Sequence, residues 1–238
     1  MTADDADRSG VDADSGRDPD RDSDSGPVAD APTPREAYDR IATHFSKTRA
    51  NPWPEVERFV AGRGPVDSAL DLGCGNGRHA AVLSTVAARV VGVDVSRELL
   101  AVARDRAADG GYDLDPVVGD AATLPLARDC VDLATYVAAL HHLRPRAARV
   151  ASLDELARVL APDAPALVSA WSITHDRFDA ASGFDTTVDW TLPGGEVVPR
   201  YYHIYDPEEF RADLASSALA VRRTFTSAGN CYAVVAGP

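Results

Sequence analysis

At 238 residues, 45% of them hydrophobic, the chain can close one α/β domain around a packed core and carry a short extension. The net charge of -13 comes from 37 acids, 29 of them aspartate, against 24 bases of which Lys47 is the one lysine; such a surface suits a halophilic setting, where molar salt limits repulsion to a few ångströms. No apolar run approaches the roughly 18 residues of a membrane span and the N-terminus is acidic rather than signal-like, so the expectation is a soluble, cytoplasmic protein; Cys74, Cys130 and Cys231 show neither disulfide nor zinc spacing.

Residues 1–34 hold almost no large apolar side chain and are expected to form a disordered acidic tail, because they cannot bury enough surface to offset their ordering entropy. Tyr38, Ile41, Ala42 and Phe45 then recur at helical spacing within 35–49, and Pro52 and Pro54 end that helix and open another at 55–61. The stretch 68–96 reads as strand, glycine-rich turn, helix and strand, the second strand ending at Asp94. A helix over 98–108 and a strand over 114–118 follow, then a strand over 131–136 leading into A-L-H-H-L, a helix over 146–160 and a strand over 166–170. Residues 172–199 are polar and turn-rich without clear periodicity and read, with R-Y-Y-H-I-Y at 200–205, as an insertion over the active face (172–205) of a domain spanning 35–238. Asp206 is placed to cap a helix reaching about 217, and strands at 221–225 and 231–235 close the chain. The expected fold is a Rossmann-like, doubly wound α/β sheet of seven mostly parallel strands with an antiparallel final strand.

The turn D-L-G-C-G-N-G carries Gly73, Gly75 and Gly77 at alternate positions, letting a ligand approach the backbone in front of free N–H groups. Asp94, about 20 residues on, can accept hydrogen bonds from ribose hydroxyls. Dinucleotide sites use G-x-G-x-x-G instead; the spacing here, with Asp71 two residues ahead, resembles motif I of class I S-adenosylmethionine-dependent methyltransferases. That resemblance implies S-adenosyl-L-methionine as cofactor, held by Asp71 toward the methionine amino group, by Gly73, Cys74, Gly75 and Gly77, by Asp94 and Val95 at the ribose, and by Asp120 and Ala121 at the adenine. No metal is implied.

Four further segments, Y-D-R-I-A-T-H-F-S-K-T-R-A-N-P-W-P, A-L-H-H-L, E-L-A-R-V-L-A-P and R-Y-Y-H-I-Y, make residues 35–238 similar to the tRNA wobble-uridine carboxymethyl methyltransferases. The resemblance implies a tRNA substrate whose 5-carboxymethyluridine is methyl-esterified, and a small zinc-binding activator subunit; it implies neither DNA nor a membrane. Arg49, His141, His142, Arg200, Tyr201 and His203, with Tyr202, are the candidates to meet the anionic acceptor. Arg49 can equally bind the methionine carboxylate of the cofactor. One of Tyr201 and Tyr202 should face the cleft and the other the core, and Trp190 is a candidate for stacking on an unpaired base. P-D-A-P at 162–165 and Cys231 depart from the family pattern, the second on the substrate side. A small-molecule acceptor and a cofactor-binding scaffold without turnover remain alternatives.

Overall fold

A computed structural model describes residues 28–238. A 3-10 turn, Val28–Asp30, precedes helices α1 (Pro34–Thr48) and α2 (Pro54–Val60), and the doubly wound unit follows as β1 (Val66–Leu72), α3 (Ala80–Leu83), β2 (Ala87–Asp94), α4 (Arg97–Gly110), β3 (Leu114–Val118) and β4 (Leu133–Val137). A 3-10 turn at Leu140–His142 leads to α5 (Arg146–Val159) and β5 (Pro165–Trp171), then β6 (Phe184–Thr191), β7 (Val197–Ile204), α6 (Pro207–Ala215), β8 (Ala220–Ser227) and β9 (Asn230–Ala236). The main sheet has the order β3-β2-β1-β4-β5-β9-β8. Its first five strands are parallel, and the final strand β9 runs antiparallel between β5 and β8. Seven strands with an antiparallel final strand is the expected architecture.

Strand alternation builds two cores. Leu70, Leu72, Val91, Val93 and Tyr136 point to one face against Leu153, Leu156, Phe210 and Leu214 of α5 and α6. Ala69, Val90, Leu133 and Leu167 point to the other, against Val56 and Phe59 of α2 and Leu83 of α3. A parallel sheet buried on both faces needs such near-continuous apolar strands, and only their carboxyl ends remain open for a ligand.

Helix starts follow their caps. Thr33 and Glu36 form a reciprocal capping box on α1, Ser96 caps α4 by accepting the Leu99 amide (3.1 Å), and Asp206 caps α6 by accepting the Glu208 amide. The helix after the glycine turn has four residues; the Ser84 and Thr85 hydroxyls donate back to the Ala81 and Val82 carbonyls and compete with its continuation.

Two boundaries differ from the sequence reading. The expected tail lies outside the described residues as far as 27, but 28–34 is built into the fold: Arg144 donates to the carbonyls of Val28 (2.8 Å) and Ala31 (3.1 Å), and Thr33 caps α1. Residues 172–199, read as lacking periodicity, contain β6, which pairs with β7 in an antiparallel hairpin from Phe184↔Ile204 to Thr191↔Val197. The alternation of T-T-V-D-W and the turn L-P-G-G carry that signal, hidden by the polar residues around them.

Gly73 has φ +68°, and a Cβ there would stand 2.3 Å from the Ala139 Cβ; Gly62 has φ +76° and open space around it. Gly62→Ala is therefore expected to cost about 1–2 kcal/mol from backbone strain alone. Gly73→Ala adds about 1–3 kcal/mol of overpacking, so the ranking of the two variants in urea unfolding tests the close approach of the glycine turn to Ala139.

Candidate active site

The carboxyl ends of β1, β2, β3 and β4 open into a cavity of about 580 Å³, a volume that suits a nucleoside-sized ligand with space beside it. Gly73, Cys74, Gly75 and Asn76 line one stretch, Asp94 and Val95 the next, and Gly119, Asp120 and Ala121 the third. Asp94 ties these walls together, one oxygen accepting the Gly75 amide (2.8 Å) and the other the Ser96 amide (2.9 Å). Burial pushes its pKa up, while the amides of Ser96, Gly75 and Val95 pull it back toward the ionised form.

Asp71 and Gly77 are not on the cavity wall. Asp71 lies beneath the glycine turn, almost fully buried; its Oδ1 accepts the Thr135 hydroxyl (2.8 Å) and its Oδ2 has no hydrogen-bond partner. Burial raises it to about 7, against lowering by the Thr135 hydroxyl and Arg78. S-adenosylmethionine fits this set: at Gly73 and Gly77 the turn leaves no space for a side chain, the carboxylate of Asp94 is on the cavity wall, and an unmatched buried acceptor lies beneath the turn. Cys74 is buried with its thiol held well above its ordinary value by burial, so it lines the site as an inert small group.

The other end of the cavity is cationic and aromatic. Arg49, Arg200, Tyr202, His141 and His142 all line it, so five of the candidates are brought together. Because side chains alternate along β7, Arg200 and Tyr202 face the cavity, and Arg200 donates to the Tyr202 hydroxyl at 2.9 Å. Tyr201 and His203 point the other way, a correction to their candidacy: the Tyr201 hydroxyl donates to Asp185 (2.9 Å), and His203 bridges Asp185 (2.7 Å) and Glu209 (2.8 Å).

Trp190 is 1% exposed, which removes it as a stacking platform. Its indole N–H donates to His44 Nδ1 (3.0 Å), and its ring lies under both Arg200 (4.9 Å) and Arg49 (5.4 Å). It therefore works as a shelf that orients two guanidinium groups.

The two histidines are neutral and differently wired. His142 Nδ1 donates to the Tyr201 carbonyl (2.9 Å), which leaves Nε2 to accept from the Tyr38 hydroxyl (2.8 Å). His141 Nδ1 accepts the Trp171 amide (3.2 Å), so its Nε2 carries the proton, and its ring stacks on Tyr202 at 4.7 Å. Sequence reasoning missed Tyr38, Phe45, Arg78, Arg144 and Trp171, which also line the cavity. Tyr38 and Phe45 were legible as a helical face, which is also how core residues look. Arg78 followed the glycine motif directly. Among the described residues no group of His, Cys, Asp and Glu could hold a metal ion, and no helix is long and apolar enough to cross a membrane.

Comparison with known proteins bears on the family and the fold. A family described as "Methyltransferase domain" matches residues 69–163. A methyltransferase of Encephalitozoon cuniculi is 33% identical over 205 residues, 83% of this chain and 92% of that protein. The mouse protein named tRNA (carboxymethyluridine(34)-5-O)-methyltransferase is 31% identical over 141 residues, 59% of this chain and 20% of its own length, so the chain spans about a fifth of that relative. Among solved structures, an S-adenosylmethionine-dependent methyltransferase from Clostridium acetobutylicum superposes with TM-score 0.65 at 16% identity, covering 84% of this chain and 98% of that one. A methyltransferase in complex with the Haloferax volcanii Trm112 activator does so with TM-score 0.63 at 18% identity, covering 86% and 97%. At these identities the structures speak for the fold alone.

Burial lowers His142 from 6.5 to about 3 and holds His79 and His141 well below 6.5. Between those values the unfolded chain binds the extra protons, so folding stability falls as pH drops through 6.5, by up to about 1.4 kcal/mol per pH unit for each group. Asp71, raised to about 7, works in the opposite direction from about pH 4 to 7, and Asp94, also raised by burial, opposes in the lower part of that range, two carboxylates against three histidines. Urea unfolding between pH 6.5 and 5 is expected to show a net loss of stability, and His142→Gln to flatten the slope by close to one histidine's share.

Proposed function

We propose that this chain, which belongs to the class I S-adenosylmethionine-dependent methyltransferases, transfers the cofactor's methyl group to a carboxylate, that of a 5-carboxymethyluridine at the wobble position of tRNA. The observation that carries the reading is the composition of the acceptor end. Arg49, Arg144, Arg200, His141, His142, Tyr38, Tyr202 and Trp171 line it, and the acids of the cavity wall, Asp94 and Asp120, belong to the cofactor end. An amine acceptor would call for carboxylates or carbonyls beside it; a carboxylate calls for cations and donors.

When bound, the cofactor supplies an electrophilic methyl on a sulfonium. A carboxylate is already ionised at neutral pH, so the protein needs no general base. The wiring of His142 suits that: both ring nitrogens are engaged, and the ring stays neutral above about pH 3. What remains for the chain is to orient and to exclude water. Arg200, fixed by the Tyr202 hydroxyl and the Trp190 ring, offers a fork to the acceptor carboxylate, and His141 an N–H. Asp94 receives the ribose, and Asp120 and Ala121 border the adenine.

Relatives named for tRNA carboxymethyluridine support the choice of acceptor. The reading extends to a small zinc-binding activator, supported by the Haloferax volcanii complex of the same fold. It also extends to a cytoplasmic setting at high salt, supported by the aspartate-rich, lysine-poor composition. Arg149, buried beside Asp213 and Glu209, links α5 to α6 beneath the hairpin and is assigned a structural role.

Mass spectrometry of tRNA nucleosides from a deletion strain is expected to show the methyl ester replaced by the free 5-carboxymethyl acid; unchanged ester content would overturn the reading. In vitro, Arg200→Met should lower kcat/KM by about 100-fold while the cofactor Kd stays within about twofold, as for loss of one charge-stabilising donor.

A further inference from the structure

Arg49 stands just after the end of α1, in a stretch that belongs to no helix or strand and runs into Pro52 and Pro54. Three consecutive carbonyls of that stretch are each gripped by a side chain from elsewhere. The Asn76 amide donates to the Arg49 carbonyl (2.9 Å), Arg106 Nη1 to the Ala50 carbonyl (3.0 Å), and Arg78 Nη1 to the Asn51 carbonyl (3.4 Å). Asn76 and Arg78 belong to the glycine turn and line the cavity; Arg106 is on α4 and does not.

Helix α4 is fastened to the same N-terminal segment at its other end. Asp39 of α1 accepts the Ser96 hydroxyl (2.7 Å) and the Glu98 amide (3.3 Å). The helix begins three residues after Asp94, the carboxylate that ties the cavity walls, and reaches by Arg106 to the loop that carries Arg49. Both ends are clasped to the segment around α1.

We propose that Arg106 is a positioning residue: it acts on the anion in the cavity through the Ala50 carbonyl and the placement of Arg49, without touching ligand. The proposal rests on Arg49 meeting an anion in the proposed methyl transfer. The energetic logic is that a guanidinium at the end of a loop loses its directed fork when its backbone drifts, and a displacement of about 1 Å at a reacting site is enough to cost up to about a hundredfold in rate. The Trp190 ring holds the guanidinium of Arg49 and the three donors hold its backbone; removing one donor of three should cost less than that limit.

The test uses the full chain with 15N-labelled arginine side chains and total tRNA as methyl acceptor. The Arg49 Nε–H resonance, assigned through Arg49→Lys, is expected to shift and broaden in Arg106→Ala, and to return toward its original position in Arg106→Lys, which restores one donor. The kcat/KM of Arg106→Ala should fall about tenfold in the otherwise unchanged chain and not at all in an Arg49→Ala background. Movement of the acceptor KM assigns Arg49 to the acceptor, and movement of the cofactor Kd assigns it to the methionine carboxylate; either supports the positioning role. An unchanged Arg49 resonance, or an Arg106→Ala loss that persists in full when Arg49 is absent, overturns it. If the wild-type protein methylates no tRNA, the acceptor reading fails, while the resonance and cofactor-binding measurements still decide the role of Arg106.

Discussion

The carboxylate of Asp94 is the tie on which the site depends. One oxygen takes the Gly75 amide and the other the Ser96 amide, so a single side chain at the end of β2 closes the glycine turn against the start of α4. Without that bridge the turn would keep the Gly73 and Cys74 amides on the Val93 carbonyl (2.8 and 3.0 Å) but lose its fastening to α4, in a segment whose positive-φ glycines lose most freedom on folding. The same bridge directs α4, whose cap at Ser96 is also held by Asp39 of α1. Turn, strand end and two helices are thus joined by one hydrogen-bond network.

From that network the cavity runs to a second wall of different origin. The hairpin of β6 and β7 lies outside the main sheet, and it brings Arg200 and Tyr202 over the 3-10 turn that carries His141 and His142. His141 stacks on Tyr202 and Trp171 meets Tyr202 at a tilt, and the Trp190 ring aligns the two arginines. The division is chemical: acids and amides line one end, cations and neutral donors the other. In a chain of net charge -13, this clustering of arginine is local.

The seven-stranded sheet was legible because apolar strands alternate with helices, and the cofactor turn because D-L-G-C-G-N-G has few structural alternatives. Arg49, Arg200, Tyr202 and the histidine pair could be named as candidates, but their convergence could not, since it depends on a hairpin whose first strand is masked by polar neighbours. Period-two alternation said that Tyr201 and Tyr202 must part company without saying which faced the cleft. Trp190 was misread because a tryptophan in a polar stretch looks exposed, and only the packing of α1 against β7 buries it. Asp71 illustrates the same limit: the motif places it near the cofactor, and only the fold puts it beneath the turn instead of on the cavity wall.

The proposed acceptor is an already ionised carboxylate, matched by the cationic end of the cofactor cavity. Methyl transfer from labelled S-adenosylmethionine to synthetic anticodon stem-loops tests it most directly, comparing a wobble 5-carboxymethyluridine with its 5-carbamoylmethyl counterpart, of the same shape but uncharged. The account predicts a base-labile methyl ester on the acid and no transfer to the amide. Equal transfer to both, or transfer to neither, would contradict it.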